Sequence, residues 1–155
     1  MSHLADRLLV LRDEVLVTVE RGQGDPPGSE IFDAVVRGVA ALDDTTPGID
    51  LTLHDAIARR LAWGDTETSI LGDAEDVFAR LIHAAHRSLR DPQEEALVLD
   101  VASQVVTAAA RIVAVAAASR ASRERATRLR EEIAQKTLHE VLEQQRDALA
   151  RLTGG

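Results

Sequence analysis

The pair of histidines in LIHAAHRSL, His83 and His86, stands closer to metal-ligand spacing than any other in this sequence. Residues at i and i+3 share a helix surface, so both imidazoles can reach one ion. A metal site needs third and fourth ligands, however, and no Glu-x-x-His pair of the di-iron kind occurs anywhere. With Ile70, Val77 and Leu81 as the inner face of their helix, His83 points almost opposite to it and His86 lies well off it. Both are therefore expected at the surface, with His54 and His139 isolated and His3 in the N-terminal stretch. No metal is expected. A haem-binding helical sensor would need one proximal histidine, with His83 or His86 as the candidate. It would also need bulky aromatic walls, which Phe32, Trp63 and Phe78 supply poorly, so no cofactor is expected.

Catalytic patterns are equally thin. GQGDPPG resembles a phosphate-binding glycine loop only in its glycines, because no Lys-Ser or Lys-Thr follows. There is no nucleophile elbow, and most Ser and Thr residues fall in caps and loops. The acid pairs Asp43–Asp44, Glu94–Glu95 and Glu131–Glu132 fall at helix ends or on solvated faces, whereas paired-carboxylate chemistry needs a buried, perturbed acid. The absence of cysteine excludes disulfides, thiolate catalysis and Cys-ligated clusters. A non-enzyme is expected. The unusual polar residues are Asp100, Gln104 and Arg111, set within the apolar run ALVLDVASQVVTAAARIVAVAAAS. They either sit at helix edges and pair with neighbours or line a small ligand pocket, and they are the candidate pocket residues.

The elements that must position these residues are helical. The chain has 155 residues, enough to bury roughly two-thirds of its unfolded surface. It is 45% hydrophobic but only 2% aromatic, so its core is built from Leu, Val, Ile and Ala. Ala, Leu, Glu and Arg favour helix, and no run shows the β-branched alternation of a strand. Helix one is expected from about Leu4 to Val19, with Leu4, Leu8, Leu11 and Val15 at 4-3-4 spacing, Leu9 and Leu16 widening one side, and polar Thr18 weakening the end. Its double flank suggests two burial partners, the chain's own core and another subunit. Helix two, about 30–43, follows a Pro-Pro-Gly loop with Ser29 as N-cap. It buries Phe32, Val35, Val36, Val39 and Leu42. A third helix is capped by Thr52 with Asp55 in a capping box, and Leu53, Ile57 and Leu61 face inward. Helix four, about 67–89, buries Ile70, Ala74, Val77, Phe78, Leu81 and Ala85.

DPQE at 91–94 is the clearest start signal: Asp91 at the cap, Pro92 at the first helical position and Glu94 at the reciprocal box position. No Gly or Pro follows until Gly154. A helix of about 60 residues reaches about 90 Å, far beyond a globule of this length. It either breaks near AASRAS at 117–122 or carries its second half outward. The stretch from Ala96 to Ala118 is apolar nearly all round and is expected as the central helix of a bundle. Beyond it a thin stripe runs through Ala126, Leu129, Ile133, Leu138, Val141 or Leu142, Gln145, Ala148 or Leu149, and Leu152. Its phase changes between Ile133 and Leu138, as at a coiled-coil stutter. So narrow a stripe calls for a partner helix.

Net charge is −8 and unevenly spread. Residues 1–119 hold 10 basic and 20 acidic residues, and residues 120–155 hold 8 basic and 6 acidic. An acidic body repels phosphate backbones. The arginines of SRASRERATRLR lack aromatic platforms, so they suit a solvated helix surface better than a nucleic-acid contact. The N-terminus lacks a signal peptide's basic start and clean apolar core. Asp100, Gln104 and Arg111 are costly at a bilayer centre. A cytoplasmic protein without membrane or nucleic-acid partner is expected.

LREEIAQKTLHEVLEQQRDALARL resembles the linker joining N-terminal sensor domains to STAS domains in stressosome co-antagonists of the RsbR type. The family's Glu/Gln-rich helix runs into an approach like that from Gln145 to Leu152. The preceding layout is similar to the family's non-haem globin-like or related helical sensors. By motif the likeness covers about 25 residues, and signalling helices of this kind also precede diguanylate cyclase and kinase modules. Where the family continues into a STAS domain, this sequence ends at Gly155, so that domain's phosphoacceptors are not carried over. The expected chain is an excised sensor module or a stand-alone relative.

The expectation is thus an all-α, globin-like or related bundle of five to six helices with a projecting C-terminal coiled-coil helix. Residues 1–119 would form the sensor bundle and 120–155 the signalling and dimerisation helix. The resemblance implies a dimeric, non-enzymatic input domain that relays stress signals to an output such as STAS or to partner-switching proteins. The alternatives are a haem- or small-ligand-binding globin-type sensor, or an input domain of a cyclase or kinase. The expected dimer surface comprises Leu4, Leu8, Leu11, Val15, Leu129, Ile133, Leu138, Leu142, Leu149 and Leu152.

Overall fold

A computed structural model describes residues 3–16, 24–42 and 51–154. Among these residues the chain is all-α, with no strand. Its helices are α1 (His3–Val10), α2 (Arg12–Val15), α3 (Ser29–Ala41), α4 (Leu51–Ala62), α5 (Glu67–Ser88) and α6 (Pro92–Thr153). Two units are distinguished, Met1–Ala116 and Ala117–Gly155, where the sequence placed the division at 119/120. The helix α6 passes through 117–122 without a break. That follows from the absence of Gly and Pro and from alanine's high helix propensity.

The first unit is a helical bundle with an aliphatic core. Phe32 and the side chains of Leu8, Leu16, Ile31, Leu53, Ile57, Ile70 and Leu81 are among its fully buried members. On α5 the stripe Ile70, Ala74, Val77, Leu81 and Ala85 is buried, as helical spacing requires. Trp63, at the end of α4, is 84% exposed.

Helix one differs from expectation. It is two helices, parted at Leu11, whose backbone N–H reaches Leu8 O at 2.9 Å in a tighter i→i−3 turn. Leu16 is extended, with φ −95° and ψ 118°; Thr18 and Val19 lie outside the described residues. The break lets α1 pack on α3 and α2 pack on α5. Consequently Leu4, Leu8, Leu11 and Val15 are all buried in the chain's own core. They are therefore removed from the expected dimer surface: one apolar stripe cannot serve two partners, and the core has taken it.

Local signals also resolve differently in places. Ser29 is the first residue of α3 and not its cap, a position held by Gly28. Ser29 N–H donates to Pro26 O at 3.0 Å, and Gly28 has φ +81° and ψ 6°. This is a type II turn with Pro27 and Gly28 at its centre, the positions those residue types favour. Thr52 likewise lies inside α4, which begins at Leu51. Thr66 does cap α5, its Oγ1 accepting from Ser69 N–H at 3.1 Å. At the start of α6, Asp91 Oδ1 accepts from Gln93 N–H at 2.9 Å. Glu94 does not close a capping box, because its carboxylate is paired with Arg7 of α1 at 2.6 Å.

The upper part of α6 is not enclosed all round. Val98, Val101, Ala102, Ala109 and Val113 are buried, and a Cβ at Gly38 of α3 would meet Val101 at 2.7 Å, so the two helices approach closely there. The opposite face, from Ala96 through Ser103 and Ala110 to Val115, is exposed. Apolar composition all round a helix therefore marks a helix at the margin of this bundle and not at its centre.

Candidate functional site

Asp100, Gln104 and Arg111 lie on that exposed face of α6, so they do not line an interior pocket. Gln104 donates from Nε2 to Asp100 Oδ2 at 2.9 Å, one turn away, and among the described residues Arg111 has no ion-pair partner. The three residues share a face because 4 and 11 residues are close to one and three turns of an α-helix. What distinguishes their surroundings is apolarity. By length and composition alone the helix is apolar enough to cross a membrane, and most of its apolar stretch is left unburied by the bundle.

His83 and His86 are both exposed on α5. His86 Nδ1 lies 3.0 Å from Glu95 Oε1. Neither imidazole faces the interior, where a haem would have to sit. Among the described residues, no group of three or more His, Asp or Glu side chains is placed to hold a metal ion.

In the second unit every described residue from Ala118 onward is exposed. Leu129, Ile133, Leu138, Val141, Leu142, Leu149 and Leu152 range from 43% to 80% exposed on an otherwise polar helix. From Leu138 onward two heptad lines overlap. One runs Leu138, Leu142, Gln145, Leu149, Leu152 and the other Leu138, Val141, Gln145, Ala148, Leu152. They share Leu138, Gln145 and Leu152. On the same helix His139 Nε2 lies 3.2 Å from Glu143 Oε1, one turn on.

The strongest electrostatic feature was not visible in the sequence. Arg60, near the end of α4, holds three carboxylates at 2.6 Å: Glu30 of α3 through Nη1, Asp65 through Nε and Asp73 of α5 through Nη2. Its side chain is 20% exposed. Burial works against the charge, but hydrogen bonds to Asp65, Glu30 and Asp73 outweigh it and hold the guanidinium above its ordinary pKa. The partners come from three places in the chain, so spacing alone could not have found them. Further ion pairs join Arg12 to Asp33 and Arg87 to Glu14. Arg60 thus fastens α3, α4 and α5 together and presents no open position to a ligand.

Among the described residues two uncovered helix faces stand out, one on α6 between Ala96 and Val115 and one along the second unit. Comparison of the chain with protein families, with curated proteins and with solved structures finds no match.

Proposed function

We propose that this chain is a non-enzymatic regulatory input module, in which a helical bundle passes its state to an output domain through the C-terminal helix. The observation that carries the proposal is the row of exposed leucines on the second unit. An isolated helix with so few apolar contacts is marginal in water, and pairing with a twin buries the same side chains. Gln145 belongs to both heptad lines. A single polar residue in such a seam fixes register and orientation at some cost in stability. A parallel two-fold pair brings the two C-termini together, as a paired output requires. The resemblance to stressosome linkers favours a STAS domain or a partner-switching protein as that output.

The overlap of the two lines supplies a means of relay. A modest rotation about the helix axis exchanges Leu142 and Leu149 for Val141 and Ala148 while Leu138, Gln145 and Leu152 stay in contact. Two such packings differing by a few kcal/mol make a switch that the bundle can bias.

Because the chain has no cysteine, Leu142→Cys tests the pairing directly. Mild oxidation is expected to give a disulfide-linked dimer. In a separate variant, Leu138→Glu with Leu142→Glu should abolish pairing through the second unit while the bundle keeps its melting transition. No cross-link at Leu142→Cys, together with a mass unchanged by the double substitution, would overturn the proposal.

A further inference from the structure

The exposed face of α6 carries an apolar surface and one charge of each sign. Ala96, Leu97, Asp100, Gln104, Thr107, Arg111, Ala114 and Val115 are all exposed, and Val115 is 67% so. At about 100° per residue they fall within one face, with Asp100 and Arg111 near its middle, three turns apart. Left in water, the face exposes aliphatic side chains beside alanines that permit close helix approach.

We infer that this face pairs with the same face of a second copy in an antiparallel two-fold. The charges decide the direction. A parallel two-fold sets each residue opposite itself, so Asp100 would oppose a second Asp100 and Arg111 a second Arg111, like charges in a seam being dried. An antiparallel two-fold passing between Val105 and Val106 sets Asp100 against the partner's Arg111, and by symmetry makes that ion pair twice. The same axis sets Leu97 against the partner's Ala114, Ala96 against the partner's Val115 and Gln104 against the partner's Thr107. Each bulky side chain meets a small one, and the polar pair meets at the centre. Both charges gain a partner on association, which is what a desolvated charge needs. Opposed helix dipoles add to the preference.

This pairing uses residues 96–115 only and does not rest on pairing through the second unit. The two faces are separate stretches of chain. Each interface can therefore be removed alone.

The test is light-scattering mass combined with cysteine cross-linking in the full chain. Leu97→Cys with Ala114→Cys is expected to form an intermolecular disulfide. Leu97→Cys alone should not, because its counterpart lies about 25 Å along the partner helix. Asp100→Arg should lower the mass about twofold, and Asp100→Arg combined with Arg111→Asp should restore it, as charge reversal across a two-fold demands. Leu142→Cys reports the second unit independently, so failure of one interface is distinguishable from failure of the other. Efficient cross-linking through Leu97→Cys alone would overturn the inference in favour of a parallel pair. A mass indifferent to Asp100→Arg would overturn it outright. So would sedimentation with phosphatidylcholine vesicles without the double-cysteine cross-link, which would assign the face to a bilayer.

Discussion

A Cβ placed on Gly28 would stand 2.4 Å from Cγ2 of Val77, in the space where the turn before α3 rests on α5. The same glycine has φ +81°, a conformation that costs an L side chain on its own account. Gly28→Ala is therefore expected to destabilise the bundle by about 2–4 kcal/mol. Thermal unfolding followed by circular dichroism measures this, and an unchanged midpoint would mean that the turn can lift off Val77 freely.

Arg60 sets a second expectation. Removing its guanidinium leaves Glu30, Asp65 and Asp73 facing one another without a counter-charge. Arg60→Met should cost about 2 kcal/mol near neutral pH, less than a fully buried pair because the site is partly solvated. In the parent the guanidinium's pKa is raised, so its contribution would be lost only as pH rises through that value, and it persists across the range in which proteins are normally handled. A variant with an unchanged thermal midpoint at neutral pH would show that the three acids do not depend on Arg60.

Leu8 separates core from interface. It is fully buried within one chain, so Leu8→Ala should lower stability by about 3–5 kcal/mol through lost burial and a residual cavity. The mass of the assembly should stay the same at temperatures where the variant is folded. Loss of self-association without loss of stability would return the α1 stripe to the dimer surface.

Gln145 is expected to trade affinity for order. Gln145→Leu should tighten association through the second unit by roughly tenfold and loosen its orientation. Sedimentation equilibrium measures the first effect. A reduced cross-linking yield at Leu142→Cys, from mixed parallel and antiparallel pairs, measures the second.

Helical periodicity told where side chains would be buried but not against what. Ile70, Ala74, Val77, Leu81 and Ala85 lie on α5 where their spacing places them. Leu4, Leu8, Leu11 and Val15 were equally legible as a stripe, yet a 4-3-4 pattern looks the same whether its cover is the next helix or a second chain. The kink at Leu11 that turns this stripe onto both α3 and α5 has no Gly or Pro to announce it. For α6 the ambiguity ran the other way. A run that is apolar all round was expected to be enclosed, but Asp100 and Arg111 mark the side the bundle leaves open. Arg60 was illegible for a different reason: its acids stand 5, 13 and 30 residues away with no helical spacing in common, and only the fold assembles them.

The placement of Trp63 has a spectroscopic consequence. As the only tryptophan in the chain, and one already 84% exposed, it should emit at nearly the same long wavelength folded as unfolded. Intrinsic fluorescence will therefore be almost silent during unfolding of the bundle. That silence makes the indole a low-background reporter of its own corner. A blue shift on adding any other molecule would signal contact where α4 turns toward α5, with no label attached.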